Sequence, residues 1–535
     1  ERLSNSINYE PGYGRTRKVK LKSYSGDILF SIVMPVYNVD LKWLDKAIES
    51  IEKQNYKNWE ICIADDCSPN QEVREHLLSI SNNKIKVKLL DKNQGISGAT
   101  NEAASLASGD YILLMDNDDE LAHSALHEFY QKIKKDGSEI LYSDMDIIDA
   151  KGRTRDPLCK PDWSPDLFLS QMYLGHLVGF KKSLFDEVGG FRSEFNGSQD
   201  YDLLLRMTEK TDKIGHVAEI LYHWRDLPSS TAANPESKPY AQIAGLNAIQ
   251  EHLNRVYGSG KAIAHETDNL FVYDVRYPME EEPMVSIIIP IKDHVELLKA
   301  AIDSIFEKTT YKHYEIIVLN NNSEKEETFA YLRELVECHE NVRVEDALFE
   351  FNWSKLNNYG MQFAKGDVFV CLNNDVKVIE PEWLTRLVEK AIRSDVGVVG
   401  GLLLYEDNTI QHAGVVIGMG GWADHVFKGM NPQHYGSPFI SPMVTRNVSA
   451  VTGACLAVSR KTIEKIGGFN EQFIVCGSDI ELALRANKHG LVNIYDPNVK
   501  LYHFESKSRD ASKIPQIDFD LSDKMYKDYR KNGDP

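Results

Sequence analysis

Aspartates follow the end of one short apolar stretch, and their spacing could hold a divalent cation. The stretch ends at residue 115, and Asp116, Asp118 and Asp119 come directly after it. Carboxylate oxygens are the ligands that Mg²⁺ and Mn²⁺ prefer, and a cation held in this way neutralises phosphate charge. We interpret Asp116 and Asp118 as part of such a site. The alternative is a solvated loop or a helix cap.

A second acidic cluster could move a proton. Asp200 and Asp202 stand at the start of an apolar stretch with helical spacing. A carboxylate within hydrogen-bond reach of a hydroxyl can take its proton while the oxygen forms a new bond. We assign that role to Asp200; the alternative is that it caps the helix, because Asp is a favoured residue there. Further along the chain, His223 is either a nitrogen ligand or a packed core residue.

These residue types recur in the second half of the chain in the same order. The repeats of Pro35, Asp118, Asp200 and His223 are Pro290, Asp375, Asp479 and His503. The second copy also differs from the first: Asn321 replaces Asp66, Asn373 replaces Asp116, and a longer segment occupies the region around residues 411–449. Since an asparagine brings no charge to a metal, the second copy could bind a cation more weakly or bind another nucleotide.

The elements that must position these side chains follow from the hydrophobic pattern. Each copy alternates short, nearly continuous apolar strands with amphipathic helical stretches, as in residues 30–36, 44–51 and 59–65. This pattern indicates an α/β fold with parallel strands buried on both faces. Ligands of such sheets bind beyond the carboxyl ends of the strands, which is where the polar clusters lie.

Composition excludes several classes of protein. The 535 residues are 42% hydrophobic and 26% charged, which is typical of globular domains and too many residues for one of them. The net charge of −19 argues against bulk binding of nucleic acid. No apolar run is long enough to cross a bilayer. Seven cysteines without a CxxC pair suit a reducing cytoplasm, and a chain that opens with Glu1 leads us to expect further residues upstream.

Several strings together resemble the inverting glycosyltransferases of family 2, in particular tandem transferases of bacterial O-antigen, capsule or cell-wall glycan synthesis. They are Lys160-Pro-Asp-Trp163, Gly197-Ser-Gln-Asp-Tyr-Asp202, Tyr222-His-Trp-Arg225, Ile410-Gln-His-Ala-Gly414, Val451-Thr-Gly-Ala-Cys455 and Leu501-Tyr-His-Phe. The resemblance implies two tandem GT-A domains, Rossmann-like α/β units with mostly parallel sheets. The expected boundaries are an extension at 1–27, domain 1 at 28–268, a linker at 269–284, domain 2 at 285–525 and a tail at 526–535.

The resemblance also implies roles for individual residues. The candidate bases are Asp200 and Asp479, and the candidate metal ligands are Asp118, His223, Asp375 and His503. The nucleotide would contact Pro35, Tyr37, Asn38, Asp66, Asp116, Pro290, Asn321 and Asn373. The acceptor would contact Asp144, Trp163, Trp224, His412 and Trp422, although buried aromatic residues more often belong to the core.

The cofactor implied is a divalent metal, Mn²⁺ or Mg²⁺. The implied partners are UDP- or dTDP-linked sugars and an oligosaccharide or lipid-linked glycan acceptor, with no nucleic acid. We expect a cytoplasmic enzyme at the inner face of the membrane. The basic run at residues 15–22 could contact that surface or be a solvated face.

Three functions remain open at this point. The first is a bifunctional transferase with one site in each domain, since two linked sites would suit a repeating disaccharide. The second is one active domain joined to a degenerate, glycan-binding domain 2, which the asparagines favour and the retained Asp375, Asp479 and His503 oppose. The third is a nucleotidyltransferase, which the repeated histidine and the candidate base disfavour.

Overall fold

The computed structural model describes residues 23–227, 239–433, 441–504, 514–532 and 534. It contains two α/β units, domain 1 and domain 2, each built on one twisted sheet. The elements of domain 1 are β1 (Phe30–Val36), α1 (Leu41–Glu52), β2 (Trp59–Asp65), α2 (Gln71–Ser79), β3 (Ile85–Leu89), α3 (Gly95–Ala104), β4 (Tyr111–Leu114), β5 (Glu120–Leu121), α4 (Ala125–Asp136), β6 (Ile140–Ile148), β7 (Thr154–Leu158), α5 (Pro165–Ser170), β8 (Val178–Lys181), α6 (Lys182–Val188), α7 (Gln199–Thr208), β9 (Ile214–Arg225) and α8 (Pro239–Tyr257). A hairpin of β10 (Ile263–Glu266) and β11 (Tyr273–Arg276) follows.

Domain 2 repeats this order, but its segment between residues 404 and 455 is longer than the corresponding segment of domain 1 between residues 148 and 178. Its elements are β12 (Val285–Ile291), α9 (Val295–Lys308), β13 (Tyr314–Asn320), α10 (Glu326–Cys338), β14 (Val342–Asp346), α11 (Trp353–Phe363), β15 (Val368–Leu372), β16 (Val376–Val378), α12 (Trp383–Ala391), β17 (Val396–Leu404), β18 (Ile410–His412), β19 (Val415–Ile417), β20 (Ala423–His425), β21 (Arg446–Asn447), β22 (Cys455–Ser459), α13 (Arg460–Ile466), α14 (Ser478–Lys488), β23 (Val492–His503) and α15 (Gln516–Asn532).

The two main sheets have the same topology. Strand order is β3-β2-β1-β4-β8-β6-β9-β5 in domain 1 and β14-β13-β12-β15-β22-β17-β23-β16 in domain 2. The first four strands of each sheet are parallel, while β8 and β22 run antiparallel to both neighbours. The central strands are buried on both faces, and helices cover them with separate apolar cores. This is the α/β fold class predicted from the apolar runs.

Strand register brings the predicted polar clusters to one edge of each sheet. Val36 lies opposite Asp65 and Val33 lies opposite Leu114, so β1, β2 and β4 end side by side. In domain 2, Ile291 lies opposite Asn320. Residues that follow these strands therefore converge at the carboxyl edge, where parallel sheets bind ligands.

The domain boundaries remain predictions, because two elements cross the positions that we expected. The hairpin of β10 and β11 spans the limit at residue 268, so part of the expected linker is a strand. Helix α15 spans the limit at residue 525. Among the described helices, none is long and apolar enough to cross a membrane.

The two domains contact each other through buried polar groups. Asp166 accepts hydrogen bonds from Arg393 Nη1 at 2.6 Å and from Asn447 Nδ2 at 2.8 Å. Arg386, almost fully buried, bonds to Asp274 of the hairpin and to Asp496 of domain 2. Since the pairs Asp166–Arg393 and Asp274–Arg386 join the two sides of the junction, the contact is specific in orientation.

Candidate functional site

Domain 2 has an open cleft of about 500 Å³ at the carboxyl edge of its sheet. Six of the residues predicted from the sequence line it: Pro290, Asn321, Asn373, Asp375, Asp479 and His503. His503 Nε2 lies 3.3 Å from Asp375 Oδ1 and 3.3 Å from Asn373 Nδ2. The structure thus brings the strand-end acid and the histidine of the second copy together.

Asp479 lies in the first turn of α14 and faces the same cleft. Its Oδ2 accepts the N–H of Gly453 at 2.8 Å, and its Oδ1 accepts the N–H of Ile480 at 2.9 Å. Asp200 repeats the second contact in domain 1, where Oδ1 accepts the N–H of Tyr201 at 2.9 Å. Both aspartates are the second residue of their helix, after the N-caps Ser198 and Gly477, and both line a cleft, so neither is the helix cap that the alternative interpretation requires.

The cleft of domain 1 is smaller, about 50 Å³, and Pro35, Asp116 and Asp200 line it. Burial raises the pKa of Asp200, while the nearby imidazole of His176 acts in the opposite direction. A carboxylate with a raised pKa is a better proton acceptor than an ordinary surface aspartate. Burial, followed by the charge of Asp116, also raises the pKa of Asp118. Crowded acids of this kind bind a cation favourably because it relieves their repulsion.

His176 is a cleft residue that the sequence did not single out. Its Nε2 lies 3.5 Å from Asp116 Oδ2, and its ring stacks on Tyr222 with centroids 4.9 Å apart. The Tyr222 hydroxyl donates to Asp119 Oδ2 at 2.5 Å and accepts the Asp116 N–H at 3.2 Å. No repeat could have revealed His176, because strand pairing aligns Val178 with Leu456 and thus His176 with Ala454.

His223 has a different environment from the one predicted. Its Nδ1 donates to Asp146 Oδ1 at 2.5 Å. Strand β5 pairs Glu120 with His223, whereas β16 pairs Val376 with His503 and Lys377 with Tyr502. Glu120 and Lys377 are equivalent in sequence, so His223 takes the strand position of Tyr502.

The offset does not come from a bulge in one domain only. Ser143 and Met145 pair with Val217 and Tyr222, and the equivalent Gly401 and Leu403 pair with Asp496 and Leu501, so β9 and β23 each skip three residues. Strand pairing thus makes Tyr222 equivalent to Leu501, one residue away from the match that the sequence repeat suggests. The metal role of His223 stays a prediction that this contact does not favour.

Asp66 and Asn321, which we predicted to contact the nucleotide, make opposite hydrogen bonds. Asp66 Oδ1 accepts the N–H of Gln94 at 2.6 Å. Asn321 instead donates from Nδ2 to the carbonyls of Ala347 and Phe349, each at 2.8 Å. The carboxylate of Asp66 can only accept a hydrogen bond and meets a backbone N–H, whereas the amide of Asn321 donates to backbone carbonyls.

Tyr37 and Asn38 follow the end of β1. Tyr37 is 54% exposed, and the N–H of Asn38 donates to Ser68 Oγ at 2.8 Å. Asn38 has a φ of 50°, and Asp293, the equivalent residue of the second copy, has a φ of 53°. Both positions are turns beside the cleft edge, and their contact with a nucleotide stays a prediction.

Two of the predicted acceptor contacts are buried within the protein. Asp144 accepts the N–H of Lys160 and bonds to His216 Nε2, each at 2.9 Å. His412 is fully buried: Nδ1 donates to the Gly401 carbonyl, and Nε2 accepts the N–H groups of Gly414 and Thr452. The acceptor role of both residues stays a prediction that these contacts do not favour, because their polar atoms stabilise loops.

The three predicted tryptophans lie outside the two clefts. Trp163 packs on Phe168 at the domain junction. Trp224 packs against the apolar cluster that contains the buried residues of β1. Trp422 is 40% exposed and contacts Phe519 of α15. His425 lines the domain 2 cleft together with His503, and its Nδ1 donates to the Gln411 carbonyl at 2.7 Å.

Two further groups support the cleft walls. Asp202 is buried between Arg192 and Arg206, which fixes the start of α7. In domain 2, the buried Asp518 of α15 accepts the N–H groups of Ile474, Val475 and Cys476 at 2.8 to 3.1 Å. These three residues lead into Asp479, so α15 holds the segment that carries the candidate base. Asp518 was missed because a single aspartate late in the chain carries no motif.

Comparison with known proteins decides the family. A model described as "Glycosyl transferase family 2" matches residues 31–189 and 286–467, once in each domain. The chain belongs to glycosyl transferase family 2. The resemblance inferred from its motifs is therefore confirmed, and so is its class as a glycosyltransferase.

Curated relatives of this glycosyltransferase come from bacteria. "Uncharacterized protein y4gI" of Sinorhizobium fredii is 40% identical over 510 residues, which are 94% of this chain and 56% of that protein. "O-antigen biosynthesis protein RfbC" of Myxococcus xanthus is 37% identical over 513 residues, which are 95% of this chain and 40% of that protein. The chain therefore spans about half the length of these relatives.

Among solved structures, the crystal structure of S. aureus TarS 1-349 in complex with UDP-GlcNAc is similar to part of the transferase. The TM-score is 0.34 and the sequence identity is 18%, over 44% of this chain and 74% of that one. The family assignment does not depend on a similarity of this size.

Proposed function

We propose that this transferase moves sugars from nucleotide diphosphate donors to a growing bacterial surface polysaccharide, with one inverting site in each domain. The observation that carries the proposal is that both domains place the same kinds of polar group around a cleft. In both domains a strand-end polar cluster and a helix-start aspartate line the same carboxyl-edge cleft. The name of the Myxococcus relative supports a glycan as the acceptor.

The side chains present could perform the transfer as follows. An acceptor hydroxyl oxygen forms a bond to the anomeric carbon while the bond from that carbon to the diphosphate oxygen breaks. The proton of the hydroxyl goes to the carboxylate of Asp200 or Asp479, and the electron pair leaves with the nucleoside diphosphate. Displacement from the opposite face inverts the anomeric carbon. A positioned base of this kind contributes about 10²- to 10⁴-fold to the rate.

A divalent cation fits the donor set at each strand-end cluster. Across the described ranges, no three His, Cys, Asp or Glu side chains converge as a complete metal site. One or two protein ligands together with phosphate oxygens are the usual arrangement for Mg²⁺. Asp375 and His503 would hold the cation in domain 2 and Asp118 in domain 1. When bound, Mn²⁺ or Mg²⁺ would stabilise the charge on the departing diphosphate.

We propose UDP- or dTDP-linked sugars as donors and an oligosaccharide or lipid-linked glycan as acceptor, used at the cytoplasmic face of the membrane. These assignments rest on the family resemblance, with the Asp66 and Asn321 loops as the regions that would select the base. Two neighbouring sites would also keep each product close to the next site.

The test uses the full chain, a panel of nucleotide sugars and glycan acceptors from a polysaccharide-producing bacterium. Asp200→Asn and Asp479→Asn should each abolish one of two sugar additions by at least 10²-fold, and the double variant should abolish both. Asp212→Asn, a change at an exposed acid of domain 1, is the matched control. Unchanged diphosphate release in both single variants would contradict the proposal.

The second candidate function keeps one active site in domain 1 and makes domain 2 a glycan-binding module. The replacement of acids by Asn320, Asn321 and Asn373 favours it. Under this alternative Asp200→Asn abolishes all transfer, while Asp479→Asn changes only the affinity for the acceptor glycan. The same experiment therefore separates the two functions.

A further inference from the structure

In each cleft an imidazole lies beside the strand-end cluster, but the two imidazoles come from different elements. In domain 2 it is His503, at the end of β23, with Nε2 3.3 Å from Asp375. In domain 1 it is His176, just before β8, with Nε2 3.5 Å from Asp116. The two nitrogen-to-carboxylate distances are similar, although neither the histidines nor the carboxylates are equivalent in sequence. Asp116 corresponds to Asn373, whose Nδ2 also lies 3.3 Å from His503 Nε2.

We propose that His176 is the imidazole ligand of the divalent cation in domain 1, in the role that His503 has in domain 2. This inference rests on the proposed function, since it names a ligand of the same donor site. It replaces His223, which the repeat in the sequence had suggested.

Three polar residues in domain 1 replace three apolar ones in domain 2. Strand pairing aligns Asp119 with Val376, Tyr222 with Leu501 and His176 with Ala454. Val376, Leu501 and Ala454 are all buried. Burial of a hydroxyl and a carboxylate costs free energy unless each makes a hydrogen bond. We therefore expect the three polar residues of domain 1 to have a role that their apolar counterparts lack.

The arrangement of the three polar residues indicates that role. Tyr222 bonds to Asp119 and presents its ring to His176, with an interplanar angle of 19°. The stacked ring holds the imidazole toward the cleft, which it lines together with Asp116 and Asp200. Groups that hold and orient an imidazole are the usual support of a histidine ligand.

The spacing suits a shared cation better than a direct hydrogen bond. Nitrogen and oxygen atoms 3.5 Å apart are beyond an ordinary hydrogen bond. Two ligands at right angles, each about 2.1 Å from a cation, lie about 3 Å apart. Imidazole and carboxylate together are a donor set that Mn²⁺ accepts.

The competing histidine has another partner. His223 Nδ1 bonds to Asp146 at 2.5 Å, and the pairing of His223 with Glu120 places it at the strand position of Tyr502, which pairs with Lys377. If His176 is the ligand, its substitution weakens metal binding and that of His223 does not; if His223 is the ligand, the effects are reversed. One titration distinguishes the two assignments.

The test counts Mn²⁺ sites on the full chain with UDP present, from the electron paramagnetic resonance signal of free Mn²⁺. The wild type should bind two ions. His176→Ala and His503→Ala should each weaken one site at least tenfold, and the double variant should weaken both. His223→Ala, the matched control, should keep two sites. The melting temperature of each variant shows that it is folded, and His176→Gln, which retains a polar side chain, replaces His176→Ala if that variant does not fold.

Two results with the variants would overturn the inference. One is a His176 variant that keeps both Mn²⁺ sites at wild-type affinity, and the other is loss of a site in His223→Ala. A wild type that binds no Mn²⁺ would also overturn it, and sugar transfer by that protein would still support the proposed function. Metal binding without any sugar transfer would leave the ligand assignment standing and contradict the function.

Discussion

The asparagines of domain 2 are held by hydrogen bonds that an acid could not make. Asn321 donates to two backbone carbonyls, and Asn320 donates to Asp346 Oδ1 at 2.8 Å. A carboxylate at either position would place negative charge against an oxygen acceptor. The change from acid to amide is therefore tied to a change in the neighbouring loop, and it is not by itself a sign of a lost site.

A single buried lysine supports the loop that carries His176. Lys160 Nζ donates to the carbonyls of Ser143, Leu174 and His176. Burial lowers the pKa of Lys160 from its usual 10.5 to about 7, while the charge of Asp144 acts in the opposite direction. Between these two pKa values the unfolded chain holds a proton that the folded chain releases. The free energy of unfolding therefore rises with pH across this window and is lowest below pH 7.

We predict that Lys160→Met removes this pH dependence. From pH 7 to 9 the melting temperature of the wild type should rise relative to that of the variant by roughly 5 °C. The reason is that proton release by Lys160 raises the free energy of unfolding of a domain of this size by about 2 kcal/mol over this range. Differential scanning calorimetry at several pH values measures it. Lys92→Met, at an exposed lysine, should track the wild type. A constant difference between wild type and Lys160→Met at all pH values would contradict the shifted pKa.

At the scale of elements, helix α15 fixes the wall of the domain 2 cleft. Asp518 receives three consecutive backbone N–H groups from residues 474–476, directly before the start of α14. A carboxylate that accepts several N–H groups makes strong, charge-assisted hydrogen bonds. The helix therefore positions Asp479 without contacting the cleft itself.

We predict that Asp518→Asn lowers transfer by domain 2 about tenfold, with the larger effect on kcat. The amide would turn donor hydrogens toward backbone N–H groups, so the segment before Asp479 would loosen. Transfer is measured in an Asp200→Asn background, and hydrogen exchange at residues 474–476 should quicken. Asp520→Asn, at an exposed position of the same helix, is the control. Normal exchange together with reduced kcat would contradict a positioning role.

At the scale of the whole molecule, the domains are joined by ion pairs withdrawn from water. Arg393 and Asp166 are both almost fully buried, and Asn447 completes the contact. Removal of one partner from a buried pair leaves the other charge uncompensated, which typically costs about 3 to 5 kcal/mol. The junction should therefore couple the unfolding of the two domains.

We predict that Arg393→Met separates the thermal unfolding of the domains into two transitions. The matched control is Arg333→Ala, because Arg333 and Glu326 form an exposed pair that should contribute less than about 1 kcal/mol. Calorimetry of the full chain tests the prediction. A single transition in Arg393→Met at the wild-type temperature would show that the junction does not couple the domains.

The sequence by itself determined the duplicated α/β fold, the family and the edge of each sheet at which the polar groups collect. These features depend on local patterns: apolar runs that must be buried, acids that end strands, and their recurrence in order. The cleft positions of Asp116, Asp200, Asp375, Asp479 and His503 follow from them.

Only the tertiary structure decided which histidine faces the acids of domain 1. Pairing between β5 and β9 places His223 one position away from the place that the sequence repeat suggests, and pairing between β4 and β8 brings in His176 from a segment without a repeat. His412, Asp144 and Trp163 likewise look like site residues in the sequence, but are directed into loops or the domain junction. The physical reason is that side-chain direction depends on strand register, and register is set by contacts between residues far apart in the chain.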